Sequence, residues 1–259
     1  MEIRFLRKII IPCAGKSSRM KSSVPKQLLK INGRAAINYL LEEVNKYFET
    51  IIIPIPKDKS SKELFNKNIE DHFLSKIKFI ESESGSGDGQ AVLDGLSSFK
   101  ANGSLIFVCW GDTFIIDSTS AFEKHLNISE GADIFVPLIF DKNPYVKYVL
   151  KENSDFVKDI HLSIDNKIEI NWDEGLADQS IFIVKDSIIQ QLQEYKNDLN
   201  GSPLNFLRFM NSFSKSLKIK ALKIPKRISK SYNIESEFLD IKSFISVSYT
   251  HLTLPTNSG

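Results

Sequence analysis

The first half of the chain alternates two kinds of hydrophobic pattern. Short unbroken apolar runs at residues 8–12, 51–55, 77–80 and 105–108 are typical of strands that are buried on both faces. Between these runs, residues 35–48, 60–74 and 90–99 repeat apolar positions at helical spacing. Regular alternation of strand and helix predicts an α/β fold, with a mostly parallel sheet and helices on both of its faces.

The second half has a different pattern, in which short extended segments follow one another with few helices between them. The predicted strands cover residues 133–140, 146–151, 156–162, 167–171 and 180–184. Helices are predicted near 186–196 and 203–213, then a strand near 217–224 and a last helix near 235–245. This order predicts a mixed or antiparallel extension of the sheet, within one domain that covers residues 1–245.

The end of the chain differs from the rest in composition. Residues 247–259, VSYTHLTLPTNSG, are rich in Thr, Ser and Pro and follow the predicted end of the last helix. They resemble translated sequencing-adaptor read-through. We therefore predict that residues 246–259 are a non-native or disordered tail, outside the folded domain.

Composition restricts the class of partner and the compartment. The 34 basic and 32 acidic residues give a formal charge of +2, which favours neither nucleic acid nor an anionic membrane as the main partner. No apolar run approaches the ~20 residues that a membrane span needs. Cys13 and Cys109 lack the spacing of a metal site, so buried thiols in a reducing cytoplasm are expected. The pattern does not indicate the oligomeric state, and a homo-oligomer stays open.

The loop after the first predicted strand is the first candidate site. Residues 15–26, GKSSRMKSSVPK, contain Lys16, Arg19, Lys21 and Lys26 and no acidic residue. In open α/β sheets, ligands bind beyond the carboxyl ends of the strands. Small residues and cations at that place form a cradle for anions. Composition alone also allows a solvated basic loop.

Four segments together resemble the sugar-phosphate nucleotidyltransferase superfamily. The stretch IIIPCAGKSSRMKSSVPKQLLKING matches its opening strand, A-G-x-[GS]-[ST]-R-M and P-K-x-L, with Ser17 where many members have a second Gly. Residues 87–91, GDGQA, resemble the segment beside the base, although Asp88 stands in place of Thr or Ser. Residues 111–112 resemble the G-D after strand four, and residues 232–239 resemble the segment before the last helix. Residues 143–145 and 178–182 resemble the acceptor-side region more loosely.

The resemblance implies a fold, a reaction and a set of roles. The fold is a Rossmann-like three-layer α/β/α sandwich of the nucleotide-diphospho-sugar transferase type, and the reaction transfers NMP from an NTP to a small phosphorylated acceptor with release of pyrophosphate. Arg19 would hold the leaving phosphates and Lys26 the α-phosphate, whereas Asp112 and Asn233 would bind Mg²⁺. The residues implied to bind the nucleotide are Ala14, Gly15, Lys16, Ser17, Ser18, Gly87, Asp88 and Gly89.

Two alternative functions remain beside this one. A glycosyltransferase of the same fold would carry D-x-D after strand four, but the sequence there reads GDTF at residues 111–114. A non-catalytic nucleotide-binding or regulatory domain would be expected to lose Arg19, Lys26 or Asp112, and all three are present. The base (cytosine, uracil or guanine) and the acceptor (a sugar, polyol or amino-alcohol phosphate) stay open. Trp110 is expected to pack in the core, and Asp117 to cap a helix.

Overall fold

The computed structural model describes residues 7–15, 20, 22, 24–99, 103–126, 128, 131–165 and 170–252, with side chains up to residue 245. The strands are β1 (Lys8–Ile10), β2 (Lys30–Ile31), β3 (Arg34–Ala35), β4 (Thr50–Pro56), β5 (Ile77–Ser82), β6 (Leu105–Cys109), β7 (Thr113–Ile115), β8 (Ile134–Lys142), β9 (Val146–Leu150), β10 (Val157–Leu162), β11 (Glu174–Asp178), β12 (Ile181–Lys185), β13 (Ile219–Lys223) and β14 (Ser229–Ser231). The α-helices are α1 (Ala36–Val44), α2 (Lys59–Asn68), α3 (Asp71–Leu74), α4 (Asp88–Ser97), α5 (Ser118–Ala121), α6 (Ile189–Asp198), α7 (Phe206–Ser212) and α8 (Glu235–Leu252). No helix in this described part of the chain is both long enough and apolar enough to cross a bilayer.

One large sheet organises the molecule, with the strand order β10-β9-β11-β8-β12-β6-β1-β4-β5 and with β13 paired to β8. Strands β5, β4, β1 and β6 are parallel, whereas β12, β8, β11, β9 and β10 pair in antiparallel fashion. The predicted parallel block with an antiparallel extension is thereby confirmed. Strand β1 lies between β4 and β6, so the chain reverses its direction of winding there, which is the switch point at which ligands bind in such sheets.

Both faces of the parallel block are covered by helices. Ile9 and Ile11 pack on one side in a core that includes α1, and Ile10 packs on the other side in a core that includes α4 and α7. All three isoleucines are fully buried. Because successive strand residues point to opposite faces, an unbroken run of isoleucine supplies both cores at once. The three-layer architecture follows from that run.

Several predicted elements need correction. The helix predicted at 60–74 is two helices, α2 and α3, because Ile69 has extended backbone between them. The strand predicted at 167–171 falls mostly outside the described residues, and its described part is not a strand. The extension instead contains β11, which the hydrophobic pattern did not predict. Helix α8 continues past residue 245 to Leu252, while the non-native origin of residues 246–259 stays a prediction.

Candidate functional site

A cleft of about 520 Å³ opens at the carboxyl ends of β1 and β6. Such a volume is in the range of small-molecule and cofactor sites. One half is lined from the loops after β1, β5 and β6, and the other half from β8, β9, β11 and the segment before α8. Its lining includes Ala14, Gly15, Lys26, Gly87, Asp88, Trp110, Asp112, Asp141, Tyr145, Val146, Asp178, Ser180, Asn205, Leu207, Arg227 and Asn233.

Most of the predicted site residues that the structure describes meet in this cleft. Its lining includes Ala14, Gly15, Lys26, Gly87, Asp88, Asp112 and Asn233. The predicted residues Lys16, Ser17, Ser18 and Arg19 lie outside the described residues. The three loops predicted to carry the site therefore converge, although they are far apart in the sequence.

Lys26 and Asp112 form the centre of the half that is lined from the loops after β1, β5 and β6. The Lys26 ammonium contacts the Asp112 carboxylate, and the two side chains are only 16% and 10% exposed. The same ammonium donates to the carbonyl oxygen of Tyr232 at 3.3 Å and lies 5.9 Å from the centre of its ring. In return, the Tyr232 hydroxyl donates to the Lys26 carbonyl at 2.8 Å. This reciprocal contact joins the loop after β1 to the segment before α8.

Asp112 reaches the cleft because the loops after β1 and β6 lie directly against each other at Gly111. A Cβ at Gly111 would lie 2.5 Å from the Cys13 sulfur and 2.9 Å from the Pro12 carbonyl oxygen, so only glycine permits this approach. Cys13 and Cys109 are fully buried, as predicted. Burial raises the pKa of both thiols, so they remain protonated at neutral pH.

Asn233 is held in place by the start of α8. The Glu237 carboxylate accepts a hydrogen bond from the Asn233 N–H at 2.6 Å and another from the Ile234 N–H at 3.3 Å. A glutamate that bonds back to the backbone before its own helix satisfies N–H groups that have no partner inside the helix. The local sequence therefore fixes the backbone at Asn233, whose side chain faces the same cleft as Asp112.

The segment beside the predicted base site packs tightly against the loop that precedes α7. Gly87 has a φ of +94°, and a Cβ there would lie 2.1 Å from the Leu204 carbonyl oxygen. Gly89 does not belong to the described lining, and its N–H donates to that same carbonyl at 2.9 Å. The Gly89 N–H is thus used in packing, and the nucleotide contact implied for Gly89 stays a prediction.

Asp88 also bonds within the protein. Its carboxylate accepts from the Phe206 N–H at 2.9 Å and from the Asn205 side-chain amide at 3.2 Å. Burial raises the pKa of Asp88, and the N–H of Phe206 opposes that shift. Asp88 lines the cleft, but its carboxylate serves as a link to the first turn of α7, where relatives are expected to carry Thr or Ser.

The other half of the cleft includes Tyr145 and Asp178, from the two segments that the sequence matched only loosely, and two charged residues that it did not single out. Arg227 forms an ion pair with Asp141, and both line the cleft. Neither residue belongs to a recognisable motif. Arg227 is one of several cations in a basic stretch, so the sequence does not distinguish it from its neighbours. Trp110 packs against Phe182 and Phe206, with ring centres 5.3 and 5.9 Å away. The expected packing role of Trp110 is confirmed, and its side chain also faces the cleft.

Three comparisons place this geometry among known proteins. Residues 9–200 match the family model of the MobA-like NTP transferase domain. The bifunctional protein GlmU of Caldicellulosiruptor saccharolyticus is 28% identical over 156 residues, which are 58% of this chain and 32% of that protein. The chain thus spans about a third of the length of this curated relative.

Solved structures show the same fold at low identity. CTP:phosphocholine cytidylyltransferase (LicC) from Streptococcus pneumoniae has a TM-score of 0.68 at 14% identity, covering 93% of this chain and 100% of that one. The inositol-1-phosphate CTP transferase from T. maritima has a TM-score of 0.72 at 14% identity, covering 93% and 95%. The fold predicted from the sequence is confirmed by these likenesses. With most of its length matched by the family model, the chain belongs to the MobA-like family of NTP transferases.

Proposed function

We propose that this chain transfers a nucleoside monophosphate from an NTP to a small phosphorylated acceptor. A phosphate oxygen of the acceptor attacks the α-phosphorus, the bond from the α-phosphorus to the bridging oxygen breaks, and pyrophosphate leaves. The observation that supports this most is the convergence of Lys26, Asp112 and Asn233 at the switch point of the sheet. Family membership supports the transfer chemistry. The half of the cleft lined from β8, β9 and β11, which we call the acceptor half, supplies room for a second substrate.

The chemistry requires positive charge more than proton transfer. Both substrates are anions, and the transferring group gathers negative charge, so positioning and charge neutralisation supply most of the catalysis. We assign Lys26 to the α-phosphate and Arg19 to the leaving phosphates. Backbone at Ala14 and Gly15, together with Lys16, Ser17 and Ser18, would cradle the nucleotide, and Gly87 would lie beside its base. The acceptor phosphate is already ionised and needs no general base.

Members of this family typically use Mg²⁺, and the residues present are suited to it. The Asp112 carboxylate and the Asn233 amide offer oxygen atoms, which are the ligands Mg²⁺ prefers. The Lys26 ammonium already lies against Asp112 and the Tyr232 carbonyl, so this position accepts a cation. Among the described residues no three His, Cys, Asp or Glu side chains gather to hold a metal. The nucleotide phosphates would therefore complete the coordination, and the metal would neutralise their charge.

Pyrophosphate release tests the proposal. The wild-type chain is assayed with Mg²⁺, each common NTP and a panel of acceptor phosphates, beside Asp112→Asn and the control Asp117→Asn. Asp117 caps α5 outside the cleft, so its variant should keep near-normal turnover. Loss of the Asp112 charge should reduce kcat by about 10²–10³, the effect typical of a removed electrostatic group. Turnover of Asp112→Asn within a few-fold of wild type would reject the role assigned to Asp112.

A further inference from the structure

A carboxylate without an ion-pair partner lies at the acceptor end of the cleft. Asp178 ends β11, and one of its oxygens accepts a hydrogen bond from the Ser180 N–H at 2.8 Å. Ser180 has a φ of 60°, and an Asp side chain that bonds two residues ahead stabilises such a turn. Among the described residues, no Lys, Arg or His forms an ion pair with Asp178. Burial raises the pKa of Asp178, and the hydrogen bonds from the Ser180 N–H and the Tyr148 hydroxyl oppose that shift. The carboxylate lines the cleft with hydrogen-bond donors beside it but no cation among the described residues.

Two aromatic residues, Trp110 and Tyr145, line the same cleft as this carboxylate. The Trp110 N–H donates to the Ser180 carbonyl at 3.1 Å, which places Trp110 next to the Asp178 turn. On the other side, Leu176 pairs with Tyr148 across antiparallel strands, so Asp178 stands opposite Val146, the neighbour of Tyr145. Both Trp110 and Tyr145 line the cleft, and 47% of Tyr145 is exposed. A carboxylate and aromatic rings that line one cleft are a favourable environment for an organic cation.

The charges in this half of the cleft favour the same conclusion. The nearby cation, Arg227, is already paired with Asp141, so the net charge of Asp141, Asp178 and Arg227 is negative. The acceptor brings its own negative phosphate, which a lone carboxylate repels. An acceptor with a positive group at the far end from its phosphate would turn that repulsion into attraction.

We propose that the acceptor is the phosphate ester of an amino alcohol, whose ammonium group binds against Asp178 between Tyr145 and Trp110. The phosphate of the acceptor then points towards Lys26 and Asp112, where transfer takes place. This inference rests on the proposed function and narrows its acceptor from three classes to one. Neutral sugar and polyol phosphates are the competing acceptors.

Matched acceptors and one isosteric variant test this inference. Pyrophosphate release is measured with phosphocholine and phosphoethanolamine against glycerol 3-phosphate and inositol 1-phosphate. The wild type should prefer the ammonium compounds in kcat/KM by about tenfold or more. Asp178→Asn keeps an oxygen for the Ser180 turn and removes the charge, so it should raise the KM of ammonium acceptors at least about tenfold. Its KM for NTP should stay near that of the wild type.

Glu174→Gln is the control, because Glu174 is an exposed acid on the same strand, outside the cleft lining. It should leave the preference unchanged. Pyrophosphate release with neutral acceptors at equal or higher kcat/KM would overturn the amino-alcohol assignment and leave the proposed function standing. An equal loss on both acceptor classes in Asp178→Asn would overturn it as well. No release with any acceptor would overturn both proposals.

Discussion

The Lys26 ammonium lies at the place we assign to the metal, so the two cations should compete. In the structure it contacts the Asp112 carboxylate and the Tyr232 carbonyl oxygen. A divalent ion that binds Asp112 must displace it, which is easiest when NTP phosphates arrive to receive the lysine. We therefore expect Lys26→Met to bind metal alone more tightly than the wild type, although it loses nucleotidyl transfer.

The size of the effect follows from the environment of the ion pair. Exposed pairs contribute about 0–1 kcal/mol, and removing one partner of a buried pair costs about 3–5 kcal/mol. Exposures of 16% and 10% place this pair between those limits. We therefore take about 1.5–3 kcal/mol as the free energy by which the Lys26 ammonium opposes metal binding at Asp112. A factor of ten in affinity corresponds to about 1.4 kcal/mol. Metal affinity should thus rise roughly 10- to 100-fold in the variant.

Mn²⁺ binding followed by electron paramagnetic resonance, without nucleotide, measures this effect directly. Met keeps the length of the side chain and removes its charge, and a thermal melt establishes that the variant is folded. Lys46→Met is the control, because Lys46 pairs with Glu43 on the surface, away from the cleft. If Lys26→Met bound Mn²⁺ no more tightly than the wild type, the ammonium would not occupy the metal position, and the competition argument would fail.

Two further expectations concern stability. Gly87→Ala should cost at least about 2 kcal/mol more than Gly201→Ala in urea unfolding, because both glycines have positive φ but only the Cβ at 87 meets the Leu204 carbonyl oxygen. Equal costs would contradict the packing argument. Hydrogen bonds from Ser120 and from the Lys226 ammonium lower the pKa of Asp117 to about 2. A lowered pKa stabilises the fold above the unfolded value near 3.8, and the gain disappears as the pH falls towards 2. The melting temperature of Asp117→Asn should therefore lie below that of the wild type at pH 6 and match it near pH 2; a constant difference would exclude this linkage.

The parallel half of the fold could be predicted because its inner strands β1, β4 and β6 are buried on both faces. The runs of isoleucine in β1 and β4 have only that structural explanation. Strand β11 could not be predicted in this way. Its sequence EGLAD buries only Gly175 and Ala177, and these small residues give no hydrophobic signal. The strand is fixed by its ladder with β8, which is a tertiary interaction.

The site residues divide in the same way, into those that a sequence pattern marks and those that only tertiary interactions bring into place. Lys26, Asp112 and Asn233 stand in motifs whose order along the chain could be matched, and the structure brings them to one cleft. Arg227 and Asp141 stand in no motif and are 86 residues apart in sequence. Their pairing depends on the position of the segment before β14 against the end of β8. Sequence patterns therefore predict the half of the cleft built from the parallel block in detail, and the half built from the antiparallel extension only loosely, at residues 143–145 and 178–182.

Asp88 connects the loop after β5 to the start of α7, and its departure from the family pattern has a structural reason. At the start of α7, Asn205 accepts from the Arg208 N–H, which leaves the Phe206 N–H without a partner inside the helix. Asp88 accepts that N–H with one oxygen and the Asn205 amide with the other. These two donors are bonded by the two separate oxygens of the Asp88 carboxylate. A Thr or Ser at this position has a single side-chain oxygen and could not reach both donors in this way. Leu207, in the same turn of α7, lines the cleft, so one carboxylate holds the loop after β5 against the wall of the cleft that α7 supplies.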